Sequence, residues 1–263
     1  MNLIMLPVSL RVYLTFVTVL LGLVMGSALN CLSWRIAHNE KWSGGRSRCP
    51  KCGHVLGVLD LVPLFSWLLL KGKCRYCGEK ISARYPITEA VLALCYALLL
   101  WRFGLTVRML SYVILCSCLF CLSLVDLETQ IIPDRFLVIP AVVQIVLLLL
   151  EGGLSGLLRG LWPALALGGG VLALSLFMDH VLKKESMGGG DIKLLFVLGL
   201  YFDFPCCLVL LIFACAIGLV FALALNGKEQ GSGFPFGPAL SLGAFFTLLL
   251  GQPIVNCYLG LFH

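Results

Sequence analysis

VRMLSYVILCSCLFCLSLVDLE, residues 107–128, is the stretch on which the fold turns. Between Val107 and Val125 the only charge is Arg108, and the run has the length that crosses a hydrocarbon core before it meets Asp126 and Glu128. Seven further apolar runs, at 12–32, 87–101, 136–150, 161–178, 192–200, 206–225 and 234–250, repeat the pattern. With 60% hydrophobic residues, 12% charged residues and a mean hydropathy of +1.02, the 263-residue chain is too apolar for a soluble domain. An all-α polytopic membrane protein of about eight transmembrane helices is expected. The run at 192–200 is the shortest and is compatible with a re-entrant helix. The first run follows Arg11 and ends in Gly26, Ser27 and Ala28, as a signal peptide would. It is longer than a signal core, so it is read as a retained span.

Charge sets the expected orientation. Ten of the nineteen Lys and Arg residues fall between Arg35 and Arg84, which puts that loop in the cytoplasm and the N-terminus outside. Alternating eight spans then places Arg135, Lys183, Lys184, Lys193 and Lys228 inside and leaves only Arg11, Arg102, Arg108 and Arg159 outside. The net charge of +6 follows from this topology and is no sign of nucleic-acid binding. The same alternation brings two acids to cytoplasmic ends of their runs: Asp126, and Asp191 in Met187-Gly188-Gly189-Gly190-Asp191-Ile192-Lys193. An ionisable group at the edge of a span is costly if it turns inward, so two such carboxylates point to chemistry. Held together they would share one proton, the ionised member activating water and the protonated member polarising a carbonyl. Each acid also has a plainer reading. Asp191, after three glycines and before an apolar run, has the look of a helix N-cap, as does Asp134 after Pro133. Glu128 is two residues from Asp126 and faces elsewhere on a helix. Glu89, inside a span, needs a partner, for which Arg84 and Lys193 are the cations considered.

The loop between the first two spans carries Cys49-Pro50-Lys51-Cys52-Gly53 and Cys74-Arg75-Tyr76-Cys77-Gly78. Two Cys-x-x-Cys pairs, each followed by Gly, are zinc knuckles, and a reducing compartment argues against disulfides. Cys49, Cys52, Cys74 and Cys77 are the expected ligands; His54 is a substitute donor. A loop this small lacks an adequate core, so the metal is expected to be structural. The apolar stretch Asp60–Leu70 within it lies either against the membrane or bundle, or as a buried strand and helix of the zinc module. The remaining nine cysteines lie in or beside apolar runs and act as small hydrophobes. The expected division is a first transmembrane helix at 1–34, a tetracysteine domain at 35–86 and a membrane helical peptidase domain at 87–263.

These motifs together resemble the type 4 prepilin leader peptidases over nearly the whole chain. The matching stretches are Gly26-Ser27-Ala28-Leu29-Asn30 with Arg35, both cysteine pairs, the segment from Asp60 to Trp67, Arg84-Tyr85-Pro86 with Glu89, Asp126 with Pro133-Asp134, the glycines before Asp191, and Phe234-Pro235-Phe236-Gly237-Pro238. Ala28 departs from the bulky aromatic common in the first motif. The resemblance implies an aspartic endopeptidase of the bacterial inner membrane, with Asp126 and Asp191 catalytic, that removes the basic leader of prepilins or pseudopilins after Gly. It also implies N-methylation of the new terminus by S-adenosylmethionine. For that cofactor the sequence identifies no binding residue, and it has no Gly-x-Gly-x-x-Gly turn. Two rival classes are a proton- or cation-coupled transporter and a non-catalytic scaffold. The first wants acids near the midplane and repeated halves, and neither is evident.

Overall fold

The computed structural model describes residues 3–41, 47–49, 51–183, 187–225 and 235–261. Arg46, Pro50, Lys184, Lys228, Phe234 and His263 lie outside the described residues. The chain divides into two units, Met1–Val113 and Ile114–His263. Regular structure among the described residues is helical: α1 Val8–Ala37, α2 Phe65–Leu69, α3 Arg84–Phe103, α4 Val107–Thr129, α5 Arg135–Leu182, α6 Gly189–Gly199, α7 Phe204–Leu225 and α8 Gly237–Gly260.

Six of these helices, α1, α3, α4, α5, α7 and α8, are long and apolar enough to cross a membrane, so the chain is a multi-pass membrane protein. Each of the eight apolar runs is helical over most of its described residues. Two of them share the 48 residues of α5, which breaks at Gly153 (φ 58°, ψ −147°). A Cβ on Gly156 would strike the Leu148 carbonyl, and one on Gly160 would strike the Leu148 side chain, so the two limbs fold back as a hairpin. The run at 192–200 is α6, whose 11 residues reach only about 17 Å, roughly half a hydrocarbon core.

Local chemistry sets the boundaries. Gly104 ends α3 in the left-handed region (φ 63°), and the Thr106 hydroxyl then accepts the Met109 N–H at 3.1 Å to cap α4. Pro238 stands in the first turn of α8, where a missing N–H costs no helical bond. Helices approach closely where side chains are absent. Gly22 and Gly26, four residues apart on α1, meet the backbones of Ala93 and Glu89 on α3. Gly168 and Gly199 bring α5 and α6 together, and Gly243 sets α8 against Ala214 of α7. Two polar side chains bridge α1 and α3: the Asn30 amide bonds Thr88 at 2.8 Å, and Trp101 Nε1 bonds the Thr15 hydroxyl at 3.1 Å. At the far end of α6, Gln144 Nε2 donates to the Leu200 carbonyl at 3.3 Å, and the Tyr201 hydroxyl donates to the Pro140 carbonyl at 2.8 Å.

Of the two readings of Asp60–Leu70, the buried strand and helix of the zinc module is not what forms: the segment has no strand. It is a 3-10 turn, Val58–Asp60, followed by the single-turn helix α2, and most of its apolar side chains are exposed.

Candidate active site and metal centre

The cysteine centre is built from two hairpins of like construction. In the first, the Cys49 N–H donates to the His54 carbonyl at 3.0 Å and the Gly53 N–H to the Cys49 carbonyl at 2.9 Å. In the second, the Cys74 N–H donates to the Glu79 carbonyl at 2.8 Å and the Gly78 N–H to the Cys74 carbonyl at 3.0 Å. Antiparallel bridges Arg48–Val55 and Lys73–Lys80 close them. Gly53 and Gly78 adopt φ of 71° and 72°, the left-handed turn that each knuckle needs and that a side chain would strain. In each pair the leading cysteine, Cys49 or Cys74, is buried, and the trailing one, Cys52 or Cys77, is exposed.

All four sulfur atoms lie within 4.8 Å of one another, and Cys49 and Cys77 are 3.9 Å apart. A tetrahedral zinc with bonds of about 2.3 Å sets its sulfurs about 3.8 Å apart, so the cluster has the span of such a site. The donor chemistry agrees. Backbone N–H groups of Cys52 and Lys51 lower the Cys49 thiol to about 7. At Cys77 the Glu79 N–H favours the thiolate, but desolvation and the thiols of Cys74, Cys52 and Cys49 push it up to about 12. Four thiols this close cannot all ionise without a cation among them, and a divalent ion removes the conflict. His54 is not one of the donors: its ring stacks on Tyr76 with centroids 3.6 Å apart. Asp60 buttresses the second knuckle. Its side chain is 6% exposed, and it pairs with Arg75 at 3.0 Å and accepts the Tyr76 hydroxyl at 3.1 Å, so both residues between Cys74 and Cys77 are held by one carboxylate.

The second constellation belongs to α4, α6 and α8. Asp126 lies one turn from the end of α4 and is 4% exposed, buried with Leu122 and Val125 on the same helix face. Glu128 is exposed and takes no share of that face. Asp191 stands in the first turn of α6, partly buried, where the helix dipole favours a negative charge. It lies close enough to Asp126 to feel that carboxylate's charge. The N-cap position of α6 is Gly188, so Asp191 does not cap its helix, and its carboxyl is free for another role. Asp134 does occupy the cap position of α5 but makes no capping bond, pairing instead with Lys193 at 2.8 Å. Gly190 is required by packing, since a Cβ there would come within 2.9 Å of Ile132.

One member of this site escaped the sequence reading. The Gly237 N–H, at the start of α8, donates to Asp126 Oδ2 at 2.9 Å, and a Cβ on Gly237 would stand 2.7 Å from that oxygen. A Gly before a Pro at the head of an apolar run was the available signal; its partner 111 residues away was not readable. Glu89 is likewise met by dipoles. It accepts the Leu64 N–H at 2.8 Å and the Ser27 hydroxyl, while Lys193 is taken by Asp134.

The cavity lined by Val8, Arg11, Val12, Thr15, Phe16 and Trp101, about 420 Å³, has almost wholly apolar walls. That is a poor fit to the polar adenosine and amino-acid ends of S-adenosylmethionine, and no described residue is assigned to that cofactor.

Helices of membrane length, a four-cysteine cluster able to hold a metal ion and two neighbouring carboxylates from separate helices define a multi-pass membrane protein with a candidate catalytic pair. Residues 20–103 match the Bacterial Peptidase A24 N-terminal domain, and residues 113–223 match the Type IV leader peptidase family. The chain is 33% identical to the Prepilin leader peptidase/N-methyltransferase of Pseudomonas aeruginosa, over 92% of each protein. It is 34% identical to the protein of the same name from Aeromonas salmonicida, over 81% of this chain and 74% of that one. It is also 34% identical to the Type 4 prepilin-like proteins leader peptide-processing enzyme of Escherichia coli O78:H11, over 87% of this chain and 91% of that one. No solved structure matches. The chain belongs to the Type IV leader peptidase family.

Proposed function

We propose that this protein is a membrane aspartic endopeptidase that removes the basic leader from type IV prepilins or type II secretion pseudopilins, with Asp126 and Asp191 as the catalytic pair. The observation that carries the reading is the approach of these two carboxylates, one buried in α4 and one in the first turn of α6. The relatives' names supply the substrate class.

Two carboxyls at close range share one proton. The ionised member takes a proton from water as the water oxygen bonds to the scissile carbonyl carbon, and the protonated member stabilises the oxygen on which charge develops. Collapse breaks the C–N bond, and the departing nitrogen takes the proton. The Gly237 N–H holds Oδ2 of Asp126 and leaves Oδ1 as the oxygen available for the reaction.

Cleavage falls after Gly, at the cytoplasmic face of the inner membrane, with the N-terminus outside. The ten basic residues between Arg35 and Arg84 support that orientation. The domains are the first membrane helix at 1–34, a zinc module at 35–86 whose ion is held by Cys49, Cys52, Cys74 and Cys77, and the peptidase domain at 87–263. The zinc is structural, locking two hairpins that have little core of their own. Methylation of the new N-terminal amine by S-adenosylmethionine, which donates the methyl group, is the second activity; the relatives' names support it.

Mass spectrometry of a prepilin N-terminal peptide incubated with the purified protein and S-adenosylmethionine tests the reading. Cleavage after Gly that is lost in Asp126→Asn and in Asp191→Asn, with a methyl group on the product, is expected. Cleavage that survives either variant removes the dyad.

A further inference from the structure

Residues 57–70 turn their polar groups inward and their apolar side chains outward. The buried Asp60 carboxylate accepts the Gly57 N–H at 3.0 Å as well as binding Arg75 and Tyr76. The Trp67 indole N–H goes to the Ile81 carbonyl at 3.1 Å, and the Leu64 N–H goes to Glu89 at 2.8 Å. Val58, Leu59, Phe65, Leu68 and Leu69 meanwhile are between 54 and 83% exposed. For a module bathed in water this is the wrong way round, and an apolar patch of this kind marks a contact surface.

Glu89 fixes the depth of the segment. It stands in the second turn of α3, about 8 Å along the helix from Arg84. Its neighbours Ile87 and Val91 are 60 and 43% exposed on a helix that crosses the membrane. The Leu64 backbone is therefore bonded to a point already beside lipid-facing side chains. Leu64 holds φ at 62°, a conformation a leucine adopts only where its surroundings impose it, and α2 follows at once. Lys71 and Lys73, both exposed, come directly after the apolar patch, where cations reach a headgroup layer.

We propose that residues 58–70 are an in-plane strap that lies in the interface of an anionic bilayer, with the apolar side chains among the upper acyl chains, Lys71 and Lys73 at lipid phosphates, and Glu89 as the tether that sets its depth. Lipid is the occupant because the apolar patch is tied by the Leu64–Glu89 bond to the second turn of a membrane-length helix and ends in cations. The inference rests on α3 crossing the membrane and is independent of any catalytic role.

The test uses the full chain reconstituted in phosphatidylethanolamine and phosphatidylglycerol vesicles, with p-benzoylphenylalanine replacing Leu59 or Leu69. Ile87 serves as the membrane reference and Lys51 as the aqueous one, and bound zinc reports an intact module. After irradiation, intact mass and peptide mapping should show lipid adducts at Leu59 and Leu69 at a level like that of Ile87, and none at Lys51. Adducts to another part of the chain, or no adduct, would overturn the proposal. Adding Glu89→Ala should reduce the Leu69 lipid adduct, while Glu89→Gln, which keeps an acceptor for the Leu64 N–H, should restore it. An unchanged yield in Glu89→Ala would remove the tether.

Discussion

The cysteine centre and the carboxylate pair are built by opposite means. Each cysteine hairpin is closed by hydrogen bonds between residues no more than a few positions apart, and the four clustered cysteines all fall between Cys49 and Cys77. The carboxylates come from different membrane helices, and the N–H that fixes Asp126 lies 111 residues along the chain. A site of the first kind is written in spacing, because turn geometry and ligand geometry are one problem. A site of the second kind exists only once helices pack, and the sequence reveals it chiefly by polarity in an apolar setting.

That contrast can be broken experimentally, beginning where the effect is greatest. Asp126→Asn and Asp191→Asn should each lower the proposed peptide cleavage by about 10³-fold or more while leaving zinc content unchanged, measured by product mass and metal analysis. Loss of zinc in either variant would mean that the two sites are not separable. Cys74→Ser should reverse the pattern, dropping zinc from about one per chain to near none and exposing residues 47–83 to limited proteolysis, with helix content by circular dichroism kept. Acid should do the same to the wild type. Zinc binds the thiolates, so protons compete with the ion for the four sulfurs; zinc retention, read by metal analysis across pH, should be full at neutrality and lost on acidification.

Gly237→Ala is a finer probe of the non-local site. A Cβ placed 2.7 Å from Asp126 Oδ2 must push the carboxylate out of place, and a shift of this order should cost roughly 10²-fold in kcat with KM little altered. An unchanged kcat would show that Asp126 needs no alignment from α8. The smallest effect belongs to Asp60→Ala, which frees Arg75 and Tyr76 between two ligands. Chelator competition should show zinc affinity weakened by about 10-fold, the lower end of what such supporting groups contribute.

Much of the fold was legible because the bilayer demands so little variety. Long runs such as 107–125 can satisfy their backbones only as helices, so their positions followed from composition alone. Two features did not follow. That 136–150 and 161–178 are separate limbs followed from the two runs, but the place of the break, Gly153, did not, since nothing in Gly152-Gly153 sets it apart from glycines that remain helical, such as Gly168. The outward face of residues 58–70 was undecided because an apolar string has the same letters whether it faces a core or a bilayer. At the sites, the cysteine cluster was readable and the approach of Asp126 to Asp191 was inferable from topology. The partners of Glu89 were not, because a search for cations overlooks backbone N–H groups and hydroxyls, which leave no charge in the sequence.

The shortness of α6 bears on the order of assembly. Its last turn ends away from water, and the Leu200 carbonyl there is met by an amide from Gln144, 56 residues earlier in the chain. The first limb of α5 is synthesised before that carbonyl exists. Gln144 thus carries a donor that the end of a later helix uses, so the seat for α6 is encoded in a segment made before it. A polar residue inside an apolar run is thereby explained as a tie between two helices, with no ion path needed to account for it.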